Sequence, residues 1–294
     1  MSIKSSEAGA AALAGAVCGA YLTTLKNELT FYHYDIVSSK IPAGFDGFRI
    51  LHLSDLHGKS YGSEGFRLVH SCEEFNPDII VFSGDLFSRS ENIFTIKKKV
   101  PLMKSLNKIA PVYYVWGNHE AAVPDKAKLL NDRLRHEGIH VLRNKSVKLR
   151  KGSDHINLYG LELEEMYYKN PDGSYKNLPP VTRNVLNKKL GAPDTDEFNL
   201  LIAHTPMPFL TYADWGADLT LSGHCHGGII RIGNAGLFSP ERKLFPKYTK
   251  GLYSCETQNG DALMEVSAGL GKFRINNPEM ISICVLRRKH TSKD

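Results

Sequence analysis

Five short apolar runs in this chain each end in a small polar cluster, and the clusters draw on carboxylate, amide and imidazole groups. Residues 48–54 run into Asp55-Leu56-His57, 78–83 into Gly84-Asp85, and 111–116 into Gly117-Asn118-His119-Glu120. Further on, 198–203 runs into His204, and 217–221 into Ser222-Gly223-His224-Cys225-His226-Gly227-Gly228. Apolar runs this short, bounded by glycine and other turn residues, read as strands buried on both faces, the kind found in sheets covered by helices. In such an α/β fold the side chains just past the strands' carboxyl ends converge on a ligand. Each cluster has a plainer reading by itself. Asp55 could cap the next segment, Asp85 and Asn118 could be turn residues after glycine, and His204 could be a satisfied core histidine. The His224–His226 pair could be incidental. Five such clusters, all at strand ends, make the joint coincidence improbable.

Between these runs the pattern alternates. Helices are expected at 64–75, 93–106 (with Pro101 kinking or splitting it) and 125–136, and further strands at 31–37, 139–142, 146–149 and 156–163. Strands are also expected at 229–232, 253–255, 262–267 and 280–286. The turn-rich stretch 167–180 reads as a surface loop flanking the site. With 294 residues the chain can bury a large core. Its five cysteines (Cys18, Cys72, Cys225, Cys255, Cys284) are scattered and form no Cys-x-x-Cys, which argues against a zinc ribbon, a thioredoxin motif or a disulfide framework. The net charge of +6 lies mostly in dispersed surface lysines. The basic clusters at 97–99 and 287–289 have no interleaved aromatics, so no nucleic-acid partner is expected.

The first residues differ from the rest. Positions 8–25 are Ala/Gly-rich and uncharged, between Glu7 and Lys26. The run approaches the roughly 20 residues that span a bilayer, although Ala and Gly contribute little transfer energy. Residues 1–29 are therefore read as a weak signal anchor or an export signal, a surface-lying helix being the remaining alternative. Residues 30–294 are read as a single catalytic domain. The expected location is membrane-associated or in the cell envelope, with the cytoplasm as the alternative.

The donor set points to metal chemistry. Carboxylates and imidazoles without thiolate suit Mn, Fe or Zn and leave positions open for water and substrate. The seven candidates, Asp55, His57, Asp85, Asn118, His204, His224 and His226, are too many for one catalytic ion. They fit two divalent ions about 3.5–4 Å apart that share a carboxylate.

The ordered set Asp55-x-His57, Gly84-Asp85, Gly117-Asn118-His119-Glu120, His204 and Gly223-His224-Cys225-His226 resembles the calcineurin-like metallophosphoesterase superfamily over about residues 48–228. Gly227-Gly228, Gly269-Leu270-Gly271 and Asn276-Asn277-Pro278-Glu279 are similar to one bacterial branch, the membrane- or wall-associated phosphodiesterases of the YkuE and YaeI type. The resemblance implies a four-layer αββα sandwich of two mixed β-sheets flanked by helices. It implies Asp55, His57 and His226 on the first metal, Asn118, His204 and His224 on the second, and Asp85 bridging them. His119 would bind no metal but act as the catalytic acid, with Glu120 an orienting group. The implied activity is hydrolysis of phosphoric esters, foremost diesters, by a metal-bridging hydroxide, on a substrate that could be lipid-linked. A UDP-2,3-diacylglucosamine-type pyrophosphatase and a non-catalytic metal-bound scaffold are the alternatives; His119 argues against the scaffold, which has no use for an acid that binds no metal. Two positions depart from the branch. Cys225 stands where Thr is usual, and alternation in an extended segment would turn it away from the metals. Ile229 stands where Gln is frequent.

Overall fold

The apolar runs become strands whose alternate side chains enter two different cores. In the computed structural model, which describes residues 29–233, 235–240, 244–271 and 274–289, β2 (Arg49–Leu53) and β3 (Ile79–Phe82) show this clearly. Ile50, Ile79 and Val81 point into a core between two sheets, while Leu51, Leu53, Ile80 and Phe82 point into a core under helices. The same split occurs in β8 (Asn199–Ala203): Leu200 and Ile202 go to the inter-sheet core, Leu201 and Ala203 to the opposite side. Period-two geometry with both faces covered explains why these segments carry almost no polar residues until they end.

The first sheet joins β1 (Leu29–Ser38), β2, β3, β4 (Val112–Tyr114), β5 (His140–Val141) and β14 (Glu279–Arg288) in the order β1-β14-β2-β3-β4-β5. Strands β2 to β5 are parallel, and β14 runs antiparallel to β2. The second sheet joins β6 (Lys145–Lys151), β7 (Asp154–Leu161), β8, β9 (Leu219–Ser222), β12 (Gly251–Thr257) and β13 (Gly260–Val266) in the order β12-β13-β9-β8-β7-β6. Its four inner strands are parallel and its two edge pairs antiparallel. A short hairpin, β10 (Arg231–Ile232) and β11 (Ala235–Gly236), stands apart.

Helices cover both outer faces. Against the first sheet lie α1 (Phe66–Glu73), α2 (Ile93–Lys97), α3 (Lys99–Ile109) and α5 (Pro124–His136), preceded by the single turn α4 (Asn118–Ala121). Against the second lie α6 (Arg183–Leu190) and α7 (Phe209–Trp215), which bury Leu186, Tyr212 and Trp215. The result is the four-layer α/β sandwich expected.

The helix anticipated over 93–106 is indeed two, but the break falls at Lys98 and not at Pro101. Pro101 lies in the first turn of α3, where an amide hydrogen has no intrahelical acceptor to lose. Helices α6 and α7 were not anticipated: each is short, and α6 is framed by Thr182, whose Oγ1 accepts from Val185 N–H at 3.4 Å, and by Gly191 at φ 78°. The uncharged run 8–25 lies outside the described residues; among those described, no helix is long and apolar enough to cross a membrane.

Candidate metal centre

All five polar clusters emerge at the same edge, from β2, β3 and β4 in one sheet and β8 and β9 in the other. Asp55, His57, Asp85, His204, His224 and His226 are all buried. Five of them do not follow ordinary backbone geometry: φ is 54° at Asp55, 51° at His57, 52° at Asp85, 69° at His224 and 49° at His226. Left-handed conformations in non-glycine residues are uncommon, and their concentration here marks a functional constraint. It also corrects the account of Cys225. The His224–His226 stretch is a turn, so strand alternation cannot orient the thiol; Cys225 is buried and lies outside the cluster of ligand atoms.

One ligand atom each from Asp55, His57, Asp85 and His226 lies within 4.8 Å of the others. His57 Nε2 is 3.6 Å from Asp85 Oδ2, 3.9 Å from Asp55 Oδ1 and 3.4 Å from His226 Nε2. Ligands about 2.1 Å from a single ion are separated by roughly 3 to 4.2 Å. A second group sits beside it. Asn118 Oδ1 is 3.1 Å from His204 Nε2 and 2.9 Å from His224 Nδ1, and His204 Nε2 is 3.4 Å from Asp85 Oδ2. The donor chemistry fits a cation. His204 Nδ1 donates to the Ser83 carbonyl at 2.8 Å, which leaves the Nε2 lone pair of the neutral ring facing an amide oxygen and a carboxylate. Acceptors converging on acceptors need a positive charge between them. Burial opposes a charge on the His204 ring, but the Asp85 carboxylate raises its pKa to about 9. Asp85 itself, although burial works the other way, is held well below the usual carboxylate range by His204, His119 and His57. This buried Asp/His cluster has the donor set and spacing that could hold a divalent metal ion.

Asp85 is oriented so that its two oxygens have different tasks. Oδ1 accepts from the His119 N–H at 2.8 Å, and Oδ2 faces His57, His204 and, at 3.9 Å, His119 Nε2. The His119 ring is set from its far side, because the Arg89 backbone N–H donates to Nδ1 at 2.9 Å. A backbone amide can only donate, so the neutral ring carries its proton on Nε2, facing the centre. A cavity of about 250 Å³ opens here, with Arg89, Tyr168, Lys169 and Tyr175 among its walls.

The family model of the calcineurin-like phosphoesterases matches residues 48–228, the span that carries all five clusters. The chain belongs to that family. It is a phosphoric ester hydrolase, which sets aside the scaffold reading. Among relatives, the metallophosphoesterase YkuE of Bacillus subtilis is 31% identical over 82% of this chain and 78% of its own length. The B. subtilis metallophosphoesterase YkoQ is 29% identical over 62% of each chain, and the phosphodiesterase YaeI of Escherichia coli 29% over 63% of each. The chain thus spans under two thirds of those last two.

Around these side chains the phosphoesterase places a set of supporting residues that the motifs only partly announced. Glu120 is fully buried, and its oxygens accept from the N–H groups of Gly117 (2.8 Å), Asp85 (3.0 Å) and Leu86 (2.8 Å). It therefore ties the third cluster to the second; burial and the Asp85 charge push its pKa up to about 8. Asn277 donates to the carbonyls of His226 (2.5 Å) and Gly228 (2.9 Å), and Gly271 N–H donates to the Asp55 carbonyl at 2.7 Å. Arg274 holds the glycine loop through the carbonyls of Ala268 and Gly269, at 3.0 and 3.1 Å. Tyr168, from the turn-rich stretch, is buried with its ring 5.5 Å from that of His224 and 6.0 Å from that of His204. Lys99 was missed altogether: its buried ammonium donates to the His57 carbonyl at 2.5 Å. No periodicity could have separated it from the lysines beside it.

Proposed function

We propose that this phosphoesterase is a dinuclear metal-dependent phosphodiesterase. In this reading Asp55, His57 and His226 hold one divalent ion (Mn, Fe or Zn), Asn118, His204 and His224 hold the other, and Asp85 belongs to both. The observation that carries it is the placement of Asp85 Oδ2, within 3.6 Å of His57 Nε2 and 3.4 Å of His204 Nε2, with Oδ1 already engaged by a backbone amide. Divalent ions held by these residues would supply Lewis-acid polarisation of the phosphoryl group and lower the pKa of a bound water toward neutrality. The chain's own residues do the rest. His119, with its Nε2 proton directed at the centre, donates to the departing ester oxygen. Arg89 sets the ring through its backbone, and the Tyr168 side chain keeps the rings of His204 and His224 packed from one side. The diester preference draws support from YaeI, a relative named as a phosphodiesterase.

The uncharged run 8–25 supports a further reading, an enzyme held at the membrane or envelope and acting on a lipid-linked ester. Cell fractionation of the full-length chain tests it, and a wholly soluble protein overturns it. Activity is tested with Mn²⁺ and bis-p-nitrophenyl phosphate. Turnover by the wild type and none by Asp85→Ala is expected; an inert wild type, or an Asp85→Ala variant of equal rate, refutes the assignment.

A further inference from the structure

A buried polar cluster interrupts the largely apolar layer between the two sheets. There His52 of β2, Glu265 of β13 and Ser282 of β14 meet, each with essentially no solvent exposure. His52 and Ser282 are direct cross-strand partners in the first sheet, and Glu265 reaches them from the second. Ser282 Oγ donates to Glu265 Oε1 at 2.7 Å, and Glu265 Oε2 bonds His52 Nδ1. The far nitrogen of His52 bonds Ser83 Oγ at 2.7 Å. Ser83 is the junction. Its side chain ends this chain, and its carbonyl accepts from His204 Nδ1 at 2.8 Å. Two residues later stands Asp85.

Burying a carboxylate and an imidazole is expensive, and well-packed apolar replacements of such groups are often neutral or stabilising. Stability alone therefore does not account for the cluster. Location does. The metal centre is assembled across the seam, with Asp55, His57, Asp85 and Asn118 from one sheet and His204, His224 and His226 from the other. Apolar packing between sheets is non-directional and leaves their relative slide soft. A metal site needs its ligands held to within about 0.5 Å. Directional bonds crossing the seam supply that: Glu265 to His52 in one direction, and the Ser83 carbonyl to His204 in the other.

We propose that Glu265, His52 and Ser83 form a positioning chain that locks the two sheets in register and aims His204 at its metal. The proposal rests on the two-ion reading above. Losing the chain weakens the ion on the His204 side by about 10- to 100-fold, the usual range for a partner behind a metal ligand, and affects the Asp55–His226 side less.

The test uses the metal-free protein titrated with Mn²⁺ in a calorimeter, with thermal melting in chelator measured alongside. The triple variant His52→Leu/Glu265→Leu/Ser282→Ala is expected to melt at or above the wild-type temperature and to bind one Mn²⁺ as before and the other 10- to 100-fold more weakly. Should the triple variant not fold, Ser83→Ala, which removes only the hydroxyl at the junction, is expected to show the same selective loss in smaller degree. Unchanged affinities in a folded variant overturn the proposal, as does an equal loss at both sites. A wild type that binds one ion would refute the two-ion reading instead. The positioning chain would then stand or fall on whether that ion's affinity drops in the variants.

Discussion

Replacing His119 by Gln should separate proton donation from metal binding. The His119 peptide N–H, which bonds Asp85 Oδ1 at 2.8 Å, survives the substitution, so the carboxylate keeps its orientation. What disappears is the Nε2 proton that the Arg89 amide fixes on the side of the centre. A positioned acid contributes about 10²–10⁴-fold, equivalent to roughly 3–5 kcal/mol in the barrier. The loss must depend on the ester. An alkyl leaving group needs the proton as its bond to phosphorus breaks, and the full loss in kcat should appear there. With p-nitrophenolate, which departs readily as an anion, the loss should be much smaller. The assay is kcat for aryl and alkyl diesters in the variant and the wild type, with metal content measured on the same samples. Equal losses for the two esters at unchanged metal content would show that His119 is not the acid.

Gly84→Ala tests how closely the clusters interlock. At φ 108° a side chain is strained, and its Cβ would sit 2.7 Å from both Gly117 N and His204 Nδ1. Relieving those contacts means moving both groups by about 0.7 Å; with near-attack geometry this sensitive, a loss of about 10²-fold in kcat/KM is expected, with about 1–3 kcal/mol of stability lost in a urea melt. The metal-free protein should show a distinctive pH dependence. The folded-state pKa of His204 is raised to about 9, so its contribution to stability is full below its ordinary value near 6.5 and disappears as pH rises toward 9. Melting temperature in chelator should fall across that window, and saturating Mn²⁺ should abolish the slope. Conversely, adding Mn²⁺ at about 100 times its dissociation constant should stabilise the fold by about 2.7 kcal/mol for each ion, as read from urea melts. Lys99→Met should keep the helix but release the His57 carbonyl, weakening metal binding by about 10-fold in the same calorimetric titration.

The fold was legible where a single physical cause acts locally. Runs such as 78–83 and 198–203, short and bounded by turn residues, read as strands covered on both faces, which put the polar residues that end them at the sheet edge. Helix α7 was not legible, because seven residues, about two turns burying Phe209, Tyr212, Ala213 and Trp215, are too few to distinguish a helical period from a strand-like run. The break at Lys98 carries no sequence mark of its own, whereas Pro101, the residue that would ordinarily break a helix, falls in the first turn of α3 where it is tolerated. At the site, the seven candidate ligands were visible since each follows a strand. His52 and Glu265 were not, since both lie within strands whose neighbours are apolar, and only the packing of one sheet on the other brings them together.

The strain at the ligands demands compensation of matching size. Five left-handed non-glycine residues at about 1–3 kcal/mol each come to about 5–15 kcal/mol, as much as the whole net stability of a typical domain. The hydrogen bonds that hold them do not belong to separate loops. Asp55 N–H donates to the Gly84 carbonyl and His57 N–H to that of Asp85, joining the first cluster to the second. The His224 N–H donates to Asp55 Oδ2 at 3.1 Å, joining the first to the fifth, and the Gly223 N–H donates to the His204 carbonyl at 3.0 Å, joining the fifth to the fourth. His204 returns to Ser83 and so to the second, and Glu120 hangs the third cluster on the second as well. The bonds close into a ring that crosses the seam twice. In a closed ring no ligand can relax its backbone without breaking its neighbour's bond, so the strain is held by the fold as a whole and is not relieved residue by residue. The candidate ligands are therefore held by the fold itself, and because the ring draws on bonds from both sheets, neither sheet alone could hold them.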